Sequence, residues 1–207
     1  AAECVAGLLA TALLFWSLEW LLVFQCVIAV VPLWVALTLV EPPHAVAIGG
    51  PRISLQDSMR LLVLQQGIVL WIGLAIVVFG LVGLYAFWLY QKYWELAGID
   101  IRFFGCIWAV FCLVRACAAQ MAEPLERAVG SKNLLLIVCA LPIVALLGMA
   151  LAPPMWGIVL SLLFPLSRGL GFVVLIDALN SRIEGVYRAT INSLISLVSR
   201  AIFIATG

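Results

Sequence analysis

Arginines inside long apolar stretches are the residues of this sequence most able to do chemistry. Arg168 lies near the middle of the apolar stretch from Met155 to Ala178. A guanidinium at the centre of a hydrocarbon layer costs at least about 2.5 kcal/mol unless a partner charge or a watery cavity compensates it. Arg168 therefore either holds an anionic solute or a carboxylate of the same protein, or forms a structural charge pair that orders neighbouring helices.

Three further charged residues interrupt or border such stretches. Asp177 follows Arg168 by nine positions, which at about 100° per residue places it on the opposite helix face, so the two are not expected to pair. Asp177 then either holds a gate closed or is a solvated loop acid. Arg115 is expected to be structural, with its methylenes extending toward a membrane surface. Arg200 needs a partner, and its role stays open.

Another candidate is a face with aromatic and polar groups on one predicted helix. Tyr85, Trp88 and Lys92 follow i, i+3, i+7 spacing, and Gln91 adds a neutral hydrogen-bonding group. Such a face suits an amphipathic solute. The alternative is that these are interfacial aromatics, which are common in any membrane helix.

The elements that must position these residues are long apolar segments. Of the 207 residues, 66% are hydrophobic and 10% are charged. Leu61–Gln91 and Asn133–Ser167 contain no Asp, Glu, Lys or Arg. About 20 apolar residues suffice to cross a bilayer, so the sequence predicts a polytopic membrane protein. The net charge of +1 leaves no basic field for nucleic acid, which excludes that class of partner.

Seven apolar segments are predicted as helices, because unpaired backbone groups cannot face lipid and closed barrels show short alternating strands instead. The fold class is therefore all-α. The predicted segments are Cys4–Ser17, Trp20–Val40, Leu64–Tyr90, Phe103–Met121, Asn133–Leu151, Met155–Ala178 and Ala189 onward.

The connections indicate an orientation. A long polar connection rich in proline and glycine follows the second segment and is interpreted as a linker between two halves. Basic residues favour every second connection, and the positive-inside rule then makes this linker cytoplasmic. On the opposite side, an aromatic belt is expected from Trp20, Trp88, Tyr93, Trp94 and Trp156.

The sequence offers few residues for a metal site or for the active site of an enzyme. The six cysteines lie in apolar runs without C-x-x-C pairing and are interpreted as small buried hydrophobes. The single histidine, His44, is interpreted as a loop residue, so neither a metal site nor a cofactor is expected. Because G-x-S-x-G and H-E-x-x-H are also missing from the sequence, we do not expect an enzyme.

Several patches together resemble a known family. They are the helix end Tyr90–Tyr93 followed by Ala97–Ile99, the connection Ala122–Lys132, Arg168–Gly169, Asp177–Asn180 and Tyr187–Ser193. In order and spacing they resemble helices six to eleven of the major facilitator superfamily of secondary transporters, in its bacterial form. Ala122–Lys132 resembles the family's acidic-Arg-x-Gly-basic-basic motif, but one extra residue precedes Gly130, and Ser131 stands where a basic residue is usual.

This resemblance implies an organisation. Residues 1–41 correspond to the last two helices of an N-terminal six-helix bundle, 42–63 to the cytoplasmic linker, and 64–207 to a C-terminal bundle truncated in its fifth helix. The chain then holds about seven transmembrane helices of an expected twelve. We interpret it as an internal fragment whose partners are a small-molecule solute, the lipid bilayer and the missing N-terminal helices.

The resemblance also implies a function. The expected activity is secondary active transport of a small solute by alternating access, coupled to protons or another ion, in the bacterial inner membrane. Arg168, Tyr85, Trp88, Gln91 and Lys92 are the predicted cavity residues. The predicted gating residues are Arg127, Gly130, Asp177 and Arg188. The alternative is a channel or a non-transporting helical membrane scaffold, although no T-V-G-Y-G filter sequence is present.

Overall fold

The computed structural model describes residues 2–39, 67–183 and 185–206. The predicted linker 42–63 and His44 lie outside these residues. Within them the chain forms eight α-helices and one short 3-10 turn, Ile101–Phe103. The helices are α1 Ala2–Trp16, α2 Leu18–Thr38, α3 Gly67–Leu96, α4 Phe104–Val129, α5 Ser131–Leu151, α6 Pro154–Ser161, α7 Leu163–Asn180 and α8 Gly185–Thr206.

Six helical stretches are long and apolar enough to cross a membrane. The described part of the chain contains no strand, which confirms the all-α fold class and a multi-pass membrane protein. The first predicted segment corresponds to α1, whose 15 residues make it shorter than the other spans. Helices α6 and α7 together form one span, Pro154–Asn180.

Two helices extend beyond the apolar segments predicted for them. Helix α4 continues past Met121 to Val129, and α3 continues past Tyr90 to Leu96. The added turns carry charges that pair within the helix, such as Arg127 with Glu123 one turn earlier. Hydropathy marks where the apolar residues stop, whereas the backbone hydrogen bonds of a helix can continue through polar sequence.

The break between α6 and α7 falls at Leu162 and has a local cause. Pro165 lacks an N–H, and its ring clashes with the carbonyl of the residue four positions earlier, Ser161. The hydroxyl of Ser161 donates to the Ile158 carbonyl at 2.6 Å. Leu162 keeps helical backbone angles, so the span is irregular there and not unwound, and Arg168 lies in the first two turns that follow.

Helix α1 packs antiparallel on α4 through small residues. Along α1, Glu3, Gly7 and Thr11 meet successively earlier parts of α4. A Cβ atom on Gly105 would collide with the Gly7 carbonyl oxygen and the Thr11 hydroxyl. Such small-residue contacts let two backbones approach closely in lipid, where apolar burial supplies little driving force.

Helix α7 lies at the centre of the bundle and contacts α3, α4 and α5. Gly169 faces the backbone of α4, where an added Cβ would lie 2.6 Å from the Ala118 Cβ and against the Arg115 carbonyl oxygen. The Ser167 hydroxyl, which is buried, donates to the Val138 carbonyl of α5 at 2.7 Å. These contacts fix the height of α7 relative to α4 and α5.

The predicted aromatic belt is only partly at the surface. Trp20, Trp88 and Trp156 are exposed, whereas Trp94 is 1% exposed. Trp94 packs edge-on against Phe104 and Phe111 in an aromatic core. The prediction was therefore wrong for Trp94, because α3 continues past the apolar segment and turns this ring toward α4.

Gly130 separates α4 from α5 and adopts a φ of +82°. This backbone conformation is costly for residues with a Cβ, so we expect Gly130→Ala to lower the free energy of unfolding by about 1–3 kcal/mol. Thermal unfolding in detergent would measure the change. Gly67→Ala is the matched control, since Gly67 is helical and a Cβ there meets no atom of the described residues within 4 Å. An equal loss in both variants would contradict the assigned strain.

Candidate functional site

A cavity of about 520 Å³ lies among α1, α3, α4, α5 and α7. Its size falls within the range of small-molecule sites, about 300–1,000 Å³. Five lining residues bring polar side chains other than the tyrosine hydroxyl: Glu3, Cys112, Arg115, Ser167 and Arg168. Six aromatic residues also line it: Phe79, Phe87, Tyr90, Trp108, Phe111 and Phe164.

Arg168 reaches across this cavity from α7 toward α3. Its guanidinium lies against Gly83, where an added Cβ would collide with the Nη1 atom. The side chain is open to the cavity. Among the described residues, Arg168 makes no hydrogen bond and no ion pair. Since it lies roughly 20 Å from either end of the span Pro154–Asn180, its charge sits at mid-depth, and none of the described residues supplies a counterion there.

Arg115 and Glu3 form an ion pair at the wall of the same cavity. The Arg115 Nη2 donates to the Glu3 carboxylate, which also accepts from the Cys112 thiol at a sulfur-to-oxygen distance of 3.6 Å. The side chains of Arg115 and Glu3 are 33% and 57% exposed. This pair joins α1 to α4, and Arg168 is then the positive charge in excess among the described residues of the cavity wall.

The structure shows the partner of Arg115, which the sequence interpretation did not name. Arg115 is eleven residues from the start of α4 at Phe104 and fourteen from its end at Val129. Its guanidinium pairs with Glu3 of α1 where the two helices meet. This pair agrees with a structural role, and the extension of the Arg115 methylenes toward a membrane surface stays a prediction.

Sequence reasoning also missed Glu3. The first apolar segment was begun at Cys4, one residue after this carboxylate. A usable signal was present: Glu3, Gly7 and Thr11 follow at four-residue intervals, as expected for one face of a helix that carries a charge and small residues. The partner of that face could not be read from the sequence.

The other predicted cavity residues lie elsewhere on α3. Tyr85 contacts Thr206 and Phe203 of α8, and Trp88 is 60% exposed. Lys92 pairs with Glu95 on the surface at 2.9 Å. Tyr85, Trp88, Gln91 and Lys92 are not among the cavity-lining residues, whereas the neighbouring face contributes Phe79, Val82, Gly83, Leu84, Phe87 and Tyr90.

The predicted gating residues occupy two helix ends. Arg127 pairs with Glu123 on the exposed last turns of α4, just before Gly130. Asp177 is exposed near the end of α7. The Arg188 Nε donates to the Ile183 carbonyl at 3.1 Å, between α7 and α8. Arg127 and Gly130, at the end of α4, do not contact Asp177 or Arg188, which lie around the connection between α7 and α8. The role of these four residues in gating stays a prediction.

Two polar residues of α8, Asn192 and Arg200, differ in their contacts. The Asn192 side chain donates to Asn180 at 3.2 Å, which ties α8 to the end of α7. Arg200 is exposed and has no ion-pair partner among the described residues. Over the same part of the chain, no group of three or more His, Cys, Asp or Glu side chains has the arrangement of a metal site.

No family model, curated protein or solved structure matches this chain. The resemblance to the major facilitator superfamily therefore still depends on the sequence patches that suggested it. The geometry of the cavity is the independent basis for a functional conclusion.

Proposed function

We propose that this chain forms part of a secondary active transporter that moves a small solute by alternating access. The observation that carries the proposal is the cavity among membrane-spanning helices with Arg168 open to it. A guanidinium at mid-depth that finds no counterion among the described residues costs free energy if its role is only structural, whereas a solute site or an ion pathway requires such a charge. The proposed location is the bacterial inner membrane, with the segment 42–63 on the cytoplasmic side.

Two features of the architecture support a rocking transporter of the major facilitator type. The cavity lies between α1, which belongs to the proposed first half, and α3, α4, α5 and α7 of the proposed second half. The span that carries Arg168 also has an irregular turn at Leu162, where the backbone keeps helical angles but the Leu162 N–H donates to the Val159 carbonyl, three residues back. Irregularities of this kind near prolines allow a helix to bend, as a rocking transporter requires. We propose that movement of the solute is coupled to movement of an ion such as a proton.

Flux in proteoliposomes tests this proposal. The chain, expressed with whatever sequence flanks it in its gene, would be compared with Arg168→Ala across anionic and neutral amphiphilic solutes, with and without a pH gradient. We expect saturable, gradient-driven counterflow that the substitution abolishes for the preferred solute. Substrate-independent conductance would instead indicate a channel, and no saturable flux of any solute would favour a helical scaffold.

Arg127 provides a prediction about gating. Its pair with Glu123 is an exposed i, i+4 contact, worth about 0.3–0.5 kcal/mol, so Arg127→Ala should leave the unfolding temperature nearly unchanged. We nevertheless expect the substitution to change the transport rate and the balance of inward-open and outward-open states. Distances between spin labels on the two membrane faces would report that balance. Unchanged kinetics and unchanged distances would exclude a gating role for Arg127.

A further inference from the structure

We infer that the cavity binds a monoanionic carboxylate whose body is aromatic or otherwise bulky and apolar. The inference rests on the proposed transport function and names its substrate class. It follows from three properties of the lining: the sign of its charge, the position of its cations and the chemistry of the remaining wall.

The charge of the lining favours an anion with a single negative charge. Arg115 is already paired with Glu3, whereas Arg168 has no counterion among the described residues. One carboxylate would neutralise this excess. A phosphate monoester carries about −1.5 to −2 charges near neutral pH and would leave the cavity negatively charged in a low-dielectric setting.

The two arginines are attached to their helices at the same level. Gly169, the residue after Arg168, packs on the backbone carbonyl of Arg115, so α4 and α7 are in direct contact there, and both arginines line the cavity. Like charges that share a cavity away from bulk water repel each other more strongly than at a surface. A bound carboxylate would reduce that repulsion, and the planar fork of a guanidinium matches its two oxygens.

The wall around these cations fits an apolar body. Phe87, Tyr90, Trp108 and Phe111 are mutual neighbours, with ring centroids 5.1 Å apart for Phe87 and Trp108 and 5.2 Å apart for Tyr90 and Phe111. Rings at such distances offer edges and faces against which a further aromatic ring can pack. A small hydrophilic anion such as acetate would leave most of this surface unfilled.

The position of the Arg168 guanidinium depends on Gly83. Gly83 leaves the space that the guanidinium occupies, and an alanine there would collide with it. Gly83→Ala should therefore displace the cation without removing its charge. This gives a second variant that tests geometry separately from electrostatics.

Equilibrium binding of 2-naphthoate to the protein in nanodiscs of neutral phosphatidylcholine would test the inference. We expect saturable binding that Arg168→Ala weakens by about 10- to 100-fold, as for the loss of a hydrogen-bonded charge pair. The neutral amide 2-naphthamide and the small anion acetate should each bind at least about tenfold more weakly. Arg102→Ala is the matched control, because Arg102 is exposed outside the cavity and should leave binding unchanged.

The outcomes separate the substrate class from the transport function. Equal binding of 2-naphthoate and 2-naphthamide, or binding insensitive to both Arg168→Ala and Gly83→Ala, would overturn the inference even if proteoliposomes transport another solute. Selective binding of 2-naphthoate without any flux would support the site and overturn the transporter. If anionic phosphatidylglycerol in the nanodisc displaced 2-naphthoate, the site would hold a lipid, and the inference of a soluble carboxylate would be overturned.

Discussion

Gly105→Val is expected to detach α1 from α4. A Cβ atom at this position collides with the backbone oxygen of Gly7 and with the Thr11 hydroxyl, and a backbone atom cannot rotate out of the way. Overpacking of this kind costs about 1–3 kcal/mol, and two helices in lipid have little hydrophobic energy to offset it. We therefore expect the larger part of the α1–α4 contact to be lost.

Cross-linking with a bifunctional thiol reagent would measure this separation. The rings of Phe15 and Phe103 pack edge to face with centroids 6.0 Å apart, so cysteines at these two positions report the contact at the far end of α1. In a background with the native cysteines replaced by alanine, a short bifunctional reagent should join the two cysteines, and the yield should fall several-fold with Gly105→Val. Gly67→Val is the control, since a Cβ there meets no atom in the described part of the chain within 4 Å. Undiminished cross-linking would show that α1 does not pack through Gly105.

Arg115→Met should also destabilise the protein strongly. The substitution keeps an unbranched, flexible side chain but leaves the Glu3 carboxylate without its cation at the cavity wall. Removing one partner of a buried pair costs about 3–5 kcal/mol. Because Glu3 is 57% exposed, water in the cavity reduces this cost, and we expect a loss of about 1–3 kcal/mol.

A charge exchange distinguishes pairing from packing. Glu3→Arg combined with Arg115→Glu should recover most of the lost stability, whereas Glu3→Arg alone should be at least as harmful as Arg115→Met, since it places two cations together. Thermal unfolding followed by tryptophan fluorescence would provide the double-mutant comparison. If the exchanged protein were no more stable than the single variants, the Glu3–Arg115 pair would not hold α1 to α4.

The fold class could be predicted from the sequence because lipid imposes a simple rule on it. Charge-free runs such as Asn133–Ser167 must be helical so that their backbone N–H and C=O groups form hydrogen bonds within lipid. In the structure this run contains most of α5, all of α6 and the start of α7. Helix ends were harder to predict. The last turns of α4 are held by pairs such as Arg127 with Glu123, and a hydropathy criterion assigns those residues to a loop.

The sequence identified only those residues of the candidate site whose type is unusual for the stretch in which they occur. Arg168 stood out because a cation at the centre of an apolar run is costly wherever it points. Arg115 and Glu3 gain their meaning from the contact of α1 with α4, which joins residues 112 positions apart. Likewise, helical spacing grouped Tyr85, Trp88 and Lys92 on one face, but only the neighbouring helices decide which face of α3 lines the cavity.

The most direct test asks whether water reaches the cavity from both sides of the membrane. Val82 lines the cavity, so Val82→Cys in a cysteine-free background would be exposed to a membrane-impermeant thiol reagent from each side in turn. Ala86→Cys is the control, because Ala86 is buried one turn further along α3 and does not line the cavity. Alternating access predicts labelling of Val82→Cys from either side, slowed by bound solute. Labelling from one side alone, or from neither, would contradict a transport path through this cavity.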